Sequence, residues 1–99
     1  MFARLHVLET TPEADERGLE IVRDQLLPWL RDSTGFRGLL RLTTLEGTKT
    51  LVLTLWADEE SLEASAEVGN KLSDLTAEAV GVTRKALEVY EVTLFDVDV

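Results

Sequence analysis

The sequence has no cysteine, one histidine, one methionine and two prolines among its 99 residues. Without thiols there can be no disulfide, no thiolate zinc site and no cysteine nucleophile. A single histidine excludes the multi-His metal centres, so no metal is expected. Basic residues are also scarce, with ten Lys and Arg against nineteen Asp and Glu, for a formal net charge of −9. Phosphate-backbone binding needs a clustered cation surplus, so no nucleic-acid partner is expected. The same charge disfavours an anionic membrane surface. The opening Met-Phe-Ala-Arg-Leu-His-Val-Leu-Glu lacks the long apolar run of a signal peptide or a membrane span. A cytoplasmic protein is therefore expected.

The chain does have enough apolar material for a core, with 44% hydrophobic residues alongside 29% charged ones. Its length fits one domain spanning residues 1–99. Domains this small leave much surface exposed, and an oligomer is a natural way to bury more.

Phe2 to Glu9 alternates as a first strand, with Ala3, Leu5 and Val7 on one face and Phe2, Arg4, His6 and Leu8 on the other. Thr10-Thr11-Pro12 ends it and opens a helix, since Thr is a good N-cap and Pro suits the first helical position. Glu13, Asp15 and Glu16 favour the positive end of the helix dipole. The helix should reach about Asp32 and bury Leu19, Val22, Leu26, Trp29 and Leu30. Pro28 removes the hydrogen bond to the Asp24 carbonyl and should kink it. Gly35 fits a left-handed C-terminal residue.

A hairpin follows, from Gly35-Phe-Arg-Gly38 through Glu46-Gly47-Thr48 to Leu-Val-Leu-Thr-Leu-Trp56, with a three-residue connection and positive φ expected at its central Gly. The return strand has Leu51, Leu53 and Leu55 on one face and Thr50, Val52, Thr54 and Trp56 on the other. The all-leucine face is expected beneath helices and the mixed face open. Asp58 should cap a second helix over Glu59 to Val80, with Leu62, Ala66, Leu72, Leu75 and Ala79 inward and a weak point at Gly69-Asn70. After Gly81, Lys85 to Val97 reads as a fourth strand whose irregular alternation predicts a bulge.

Strand-helix-strand-strand-helix-strand predicts an α+β, ferredoxin-like βαββαβ fold: an antiparallel four-stranded sheet, strands one and three central, with two helices on one face. The bare face, expected to carry Phe2, Leu8, Leu39, Val52 and Trp56, predicts a homodimer formed through that open sheet face.

Gly35-Phe-Arg-Gly38, the strand ending in Trp56, Ala57-Asp-Glu-Glu-Ser-Leu62 and Val89-Tyr-Glu-Val92 resemble the antibiotic biosynthesis monooxygenase (ABM) domains of the dimeric α+β barrel superfamily. The likeness covers nearly the whole chain. It implies the fold, a dimeric α+β barrel and a ligand cavity between sheet and helices. Members include cofactor-free oxygenases of polycyclic phenols and quinols, haem-degrading enzymes, isomerases and proteins with no known reaction, so a substrate does not follow. The haem-degrading branch carries a further Trp early in the second helix and a later His as iron ligand. This chain has Ser65 and the neighbourhood of Leu75 at those places, and its only His is His6.

Several residues are candidates for a site. His6 is the only side chain that titrates near neutrality unperturbed and could act as base or anchor a phenolate; the competing role is a satisfied interface histidine. Trp56 could wall a planar ligand or simply pack at the strand-helix junction, whereas Trp29 belongs to the core. Arg4, Arg37 and Arg41 share the mixed face by parity and would suit an anionic ligand, or pair with Glu88 or Glu91 across an interface. Thr54 faces His6 from the next strand, Tyr90 could donate to a ligand oxygen, and Asn70 could line the cavity. Glu59, Glu60, Glu63 and Glu67 form a solvated helix face, since like charges repel. The expected function is a cofactor-independent, ABM-like monooxygenase acting on a small aromatic or quinol-type molecule. The alternative is a non-enzymatic dimeric barrel that binds ligands or serves in stress.

Overall fold

The computed structural model describes residues 1–66, 69–70 and 82–98. The predicted order holds: strand β1 (Phe2–Glu9), a composite first helix, β2 (Phe36–Thr43), β3 (Lys49–Trp56), a second helix over residues 59–66 and 69–70, and β4 (Thr83–Glu91). The sheet is antiparallel in the order β2-β3-β1-β4, which puts the first and third strands at its centre.

The composite helix shows how the chain tolerates Pro28. It starts as α1 (Pro12–Ile21), where the Thr11 hydroxyl accepts the Ala14 amide at 3.2 Å. Over Val22–Leu26 it widens into a π turn, with the Leu27 amide donating to the Val22 carbonyl five residues back. It then resumes as α2 (Leu27–Arg31), with Pro28 in the first turn, where a missing N–H costs least. The expected kink is thus an inserted residue. Leu19, expected inside, is 44% exposed. Gly35 has φ of +79°, and a Cβ there would overlap the Ser61 side chain at the start of the second helix, α3. The Asp58 carboxylate caps α3 by accepting the Ser61 amide at 2.7 Å.

The hairpin connection covers five residues, 44–48, not three. Gly47 has the predicted positive φ, +77°. The Thr44 hydroxyl lengthens the turn by accepting the Thr48 and Lys49 amides, both at 3.2 Å. β4 ends at Glu91 rather than Val97, and its ladder to β1 shifts register between Val7 and Leu8, which makes Lys85 the bulged residue. The predicted inward positions Leu72, Leu75 and Ala79, and the break at Gly81, lie outside the described residues.

The two faces of the sheet are the reverse of the expected ones. Trp56 joins Val22, Leu26, Leu30 and Leu62 in the core, with Phe2, Phe36 and Leu39 packed against it. The mixed face therefore lies under the helices. The bare face carries Leu51 and Leu53, with Leu40 48% and Leu42 54% exposed. The polar residues of the covered face are accommodated because each finds a partner. Asp15, from α1, accepts from the Thr50 hydroxyl, from Thr43 at 3.1 Å and from Arg41 at 2.6 Å. The Trp56 indole donates to Thr54 at 3.0 Å, and the Arg4 guanidinium donates to the Leu62 carbonyl at 2.9 Å. Hydrogen-bonded polar groups can be buried at little net cost, so alternation alone did not decide which face was covered.

Candidate functional site

The covered face brings Arg4, His6, Thr54 and Trp56 together with Ser65 around a small closed cavity, walled on its helical side by Leu26 and Leu30. Arg4 and His6 are i and i+2 on β1, and Thr54 and Trp56 stand opposite Arg4 and Phe2 on β3, so strand register alone clusters them. The cavity gives a water-sized centre about 10 Å³ of room, enough for one water or one ligand oxygen. Thr54 accepts from Trp56 and so keeps its own O–H to donate into this space. Phe36 meets Trp56 edge-on at 5.6 Å and fixes the indole.

Arg4 is only 7% exposed. One Nη group donates to the Leu62 carbonyl, which also accepts from the Ser65 hydroxyl at 2.9 Å. Its Nε is buried and has no hydrogen-bond partner among the described residues. Burial holds the guanidinium pKa below its ordinary value. Arg4 also forms part of an open cleft of about 380 Å³ beside β4 and α3, whose apolar wall is Phe2, Leu62, Ala66 and Val89. That volume lies within the usual range of small-molecule sites.

Arg41, Arg37 and Asn70 lie apart from this cleft, and Tyr90 stands on its lining. Arg41 is committed to Asp15 through the ion pair at 2.6 Å and a second bond to the Asp15 backbone carbonyl at 3.0 Å. Arg37 occupies the bulge where β2 shifts register, exposed, donating to the Phe36 carbonyl. Tyr90 pairs with Ala3 and is 47% exposed, and it also lines the open cleft beside Arg4. A hydrogen bond to Glu88 raises its pKa above the ordinary phenol value. Asn70 is partly buried on α3, where Gly69 rather than Asn70 lines the closed cavity. Ser65 was missed as a lining residue. Its signal was available, since it lies three residues beyond the inward-facing Leu62 on one helix face. Among the described residues no cluster of His, Asp and Glu could hold a metal ion, and no helix is long and apolar enough to cross a membrane.

Fold and site together define a ferredoxin-like α+β protein with a buried polar cluster between its sheet and its helices. The antibiotic biosynthesis monooxygenase structures have this same fold. A provisional antibiotic biosynthesis monooxygenase from Deinococcus radiodurans superposes with a TM-score of 0.73 at 15% identity, covering 100% of this chain and 98% of its own. A monooxygenase from Streptomyces coelicolor, solved with nanaomycin D, gives 0.65 at 14% identity over 97% and 92% of the two chains. SnoaB, a cofactor-independent oxygenase from Streptomyces nogalater, gives 0.67 at 9% identity over 95% and 94%. No family model matches the sequence, and no curated protein sequence does either.

Proposed function

We propose that the protein is a cofactor-independent monooxygenase of the ABM type, acting on a small aromatic or quinol-type molecule. The observation that carries this is the grouping of Arg4, His6 and Thr54 beside an apolar cleft, under the helices of a fold shared with such oxygenases. A phenolate or enolate can reduce oxygen directly, so the protein needs to bind the substrate, take its proton and stabilise the resulting charge. His6 would take the proton. Arg4 would bind the substrate, and the Thr54 O–H is the donor that would hold the oxyanion. Trp56 would bound the closed end of the site and Tyr90 the rim of the cleft, while Arg41 and Asn70 have no place in this assignment.

A homodimer belongs to the same proposal. Its seam would be the bare leucine face, not the face of Phe2, Leu8 and Trp56 that parity first suggested. A second reading, a ligand-binding barrel without chemistry, draws on the small size of the closed cavity, which admits an atom rather than a ring.

The test is oxygen uptake by metal-free protein over a panel of anthrones and hydroquinones, repeated with His6→Ala. Uptake that falls at least about tenfold in the variant is expected for loss of a general base. Binding without uptake favours the second reading, and full uptake by His6→Ala removes that residue from the mechanism.

A further inference from the structure

Among the described residues, Arg4 is a buried cation without a carboxylate partner. Its sole hydrogen bond among the described residues goes to a neutral carbonyl, and its Nε–H is unused. Arg41, by contrast, is clamped by the Asp15 carboxylate at 2.6 Å. A buried guanidinium that a fold tolerates without a counter-ion is a fork set for an incoming oxyanion, because side-on pairing with a carboxylate uses Nε–H together with an Nη–H. The cleft beside it sets limits on the rest of the ligand. Its wall of Phe2, Leu62, Ala66 and Val89 is apolar, while Glu59, Glu63 and Glu91 stand exposed at its margin. None of the three forms an ion pair with Arg4. Their charge repels a second negative group on anything lying in the cleft.

We infer that Arg4 is the specificity-determining residue of the site and selects a flat, apolar ligand carrying one carboxylate, with or without a phenolic hydroxyl, over analogues that lack the carboxylate and over dianions. This rests on the ligand-binding part of the proposed function but is independent of oxygen chemistry. The carboxylate meets the Arg4 fork and the aromatic body lies against Phe2 and Val89. A neutral phenol leaves the buried charge unmatched, and a dicarboxylate places its second charge among the glutamates.

The experiment compares naphthol, naphthoate and naphthalene dicarboxylate by titration calorimetry at neutral pH, on the intact protein and on Arg4→Met and Arg4→Lys. Naphthoate is expected to bind at least about tenfold tighter than either companion. Arg4→Met should abolish the preference and Arg4→Lys keep part of it, with circular dichroism melts confirming that both fold. Should Arg4→Met fail to fold, the preference of the unmodified protein and its weakening in Arg4→Lys decide. Equal affinities for the acid and the phenol in the unmodified protein would overturn the inference. So would a preference that survives in folded Arg4→Met, or no binding by any of the three up to millimolar concentration. Naphthoate that binds selectively while no anthrone or quinol consumes oxygen leaves Arg4 as the selector and removes the oxygenase. Oxygen uptake without any carboxylate preference does the opposite.

Discussion

Asp15 looked in the sequence like an acidic residue suited to a helix start, and it serves as the clasp between α1 and the two strands of the hairpin. Burial works against its ionisation, but hydrogen bonds from Thr50 and Arg41, the Arg41 charge and a bond from Thr43 outweigh it, so its pKa falls below the ordinary carboxylate value. Folding therefore makes Asp15 a weaker proton acceptor than it is in the unfolded chain. Its contribution to stability is complete above the ordinary carboxylate pKa and fades as pH drops through the lowered value. Asp15→Asn should destabilise the fold by about 2 kcal/mol at neutral pH, mainly by leaving Arg41 without its counter-ion. The gap in melting temperature between variant and parent should narrow as pH falls below the ordinary carboxylate range, and a gap of constant size across thermal melts would contradict this. The same pairing explains why Arg41 was a plausible ligand residue in sequence and is not one in space. Parity showed its face, but nothing along the chain showed that Asp15, one helix earlier, would meet it.

At the level of elements the boundary signals were local and mostly readable. Thr11 and Asp58 cap their helices as side-chain oxygens at those positions should, and Gly35 and Gly47 take positive φ. Errors arose where one element adjusts to another. Pro28 is absorbed by a π turn upstream, and β4 stops at Glu91 because its ladder follows β1. Gly35 combines both kinds of constraint, since its backbone is left-handed and Ser61 occupies the place of a Cβ. Gly35→Ala should cost about 2 kcal/mol in denaturant unfolding. Adding Ser61→Ala should recover the part due to overlap and leave the part due to φ, so complete recovery would show that the backbone term is absent.

For the molecule as a whole, alternation revealed two faces of the sheet without saying which one the helices cover. Both Leu51-Leu53-Leu55 and Val52-Thr54-Trp56 could have been the inner set. The second won because Trp56 supplies the bulk of the core and its polar neighbours find partners from α1 and α3. Leu51 and Leu53 are left on the outer face while Leu55 at its end is buried, and Leu40 and Leu42 are about half exposed. A second copy covering them is the arrangement proposed above. Leu42→Lys and Leu53→Lys should each shift sedimentation velocity from dimer to monomer while leaving the far-UV spectrum intact, because a charge there would be buried unpaired in the seam. A parent protein that sediments as a monomer at micromolar concentration would end the dimer proposal.

The placement of β1 at the centre of the sheet has a consequence for how the molecule comes into being. One of the two ladders of Phe2–Glu9 is made with Thr83–Glu91, so partners far apart in the sequence meet there. The strand that carries Arg4 and His6 waits on the ribosome with one edge unpaired until β4 is made. The hairpin and the first helix can assemble around its other edge, but the sheet closes last, by a long-range pairing of the kind that slows folding. The strand that carries Arg4 and His6 is thus made well before β4, and a long-range pairing locks its second edge.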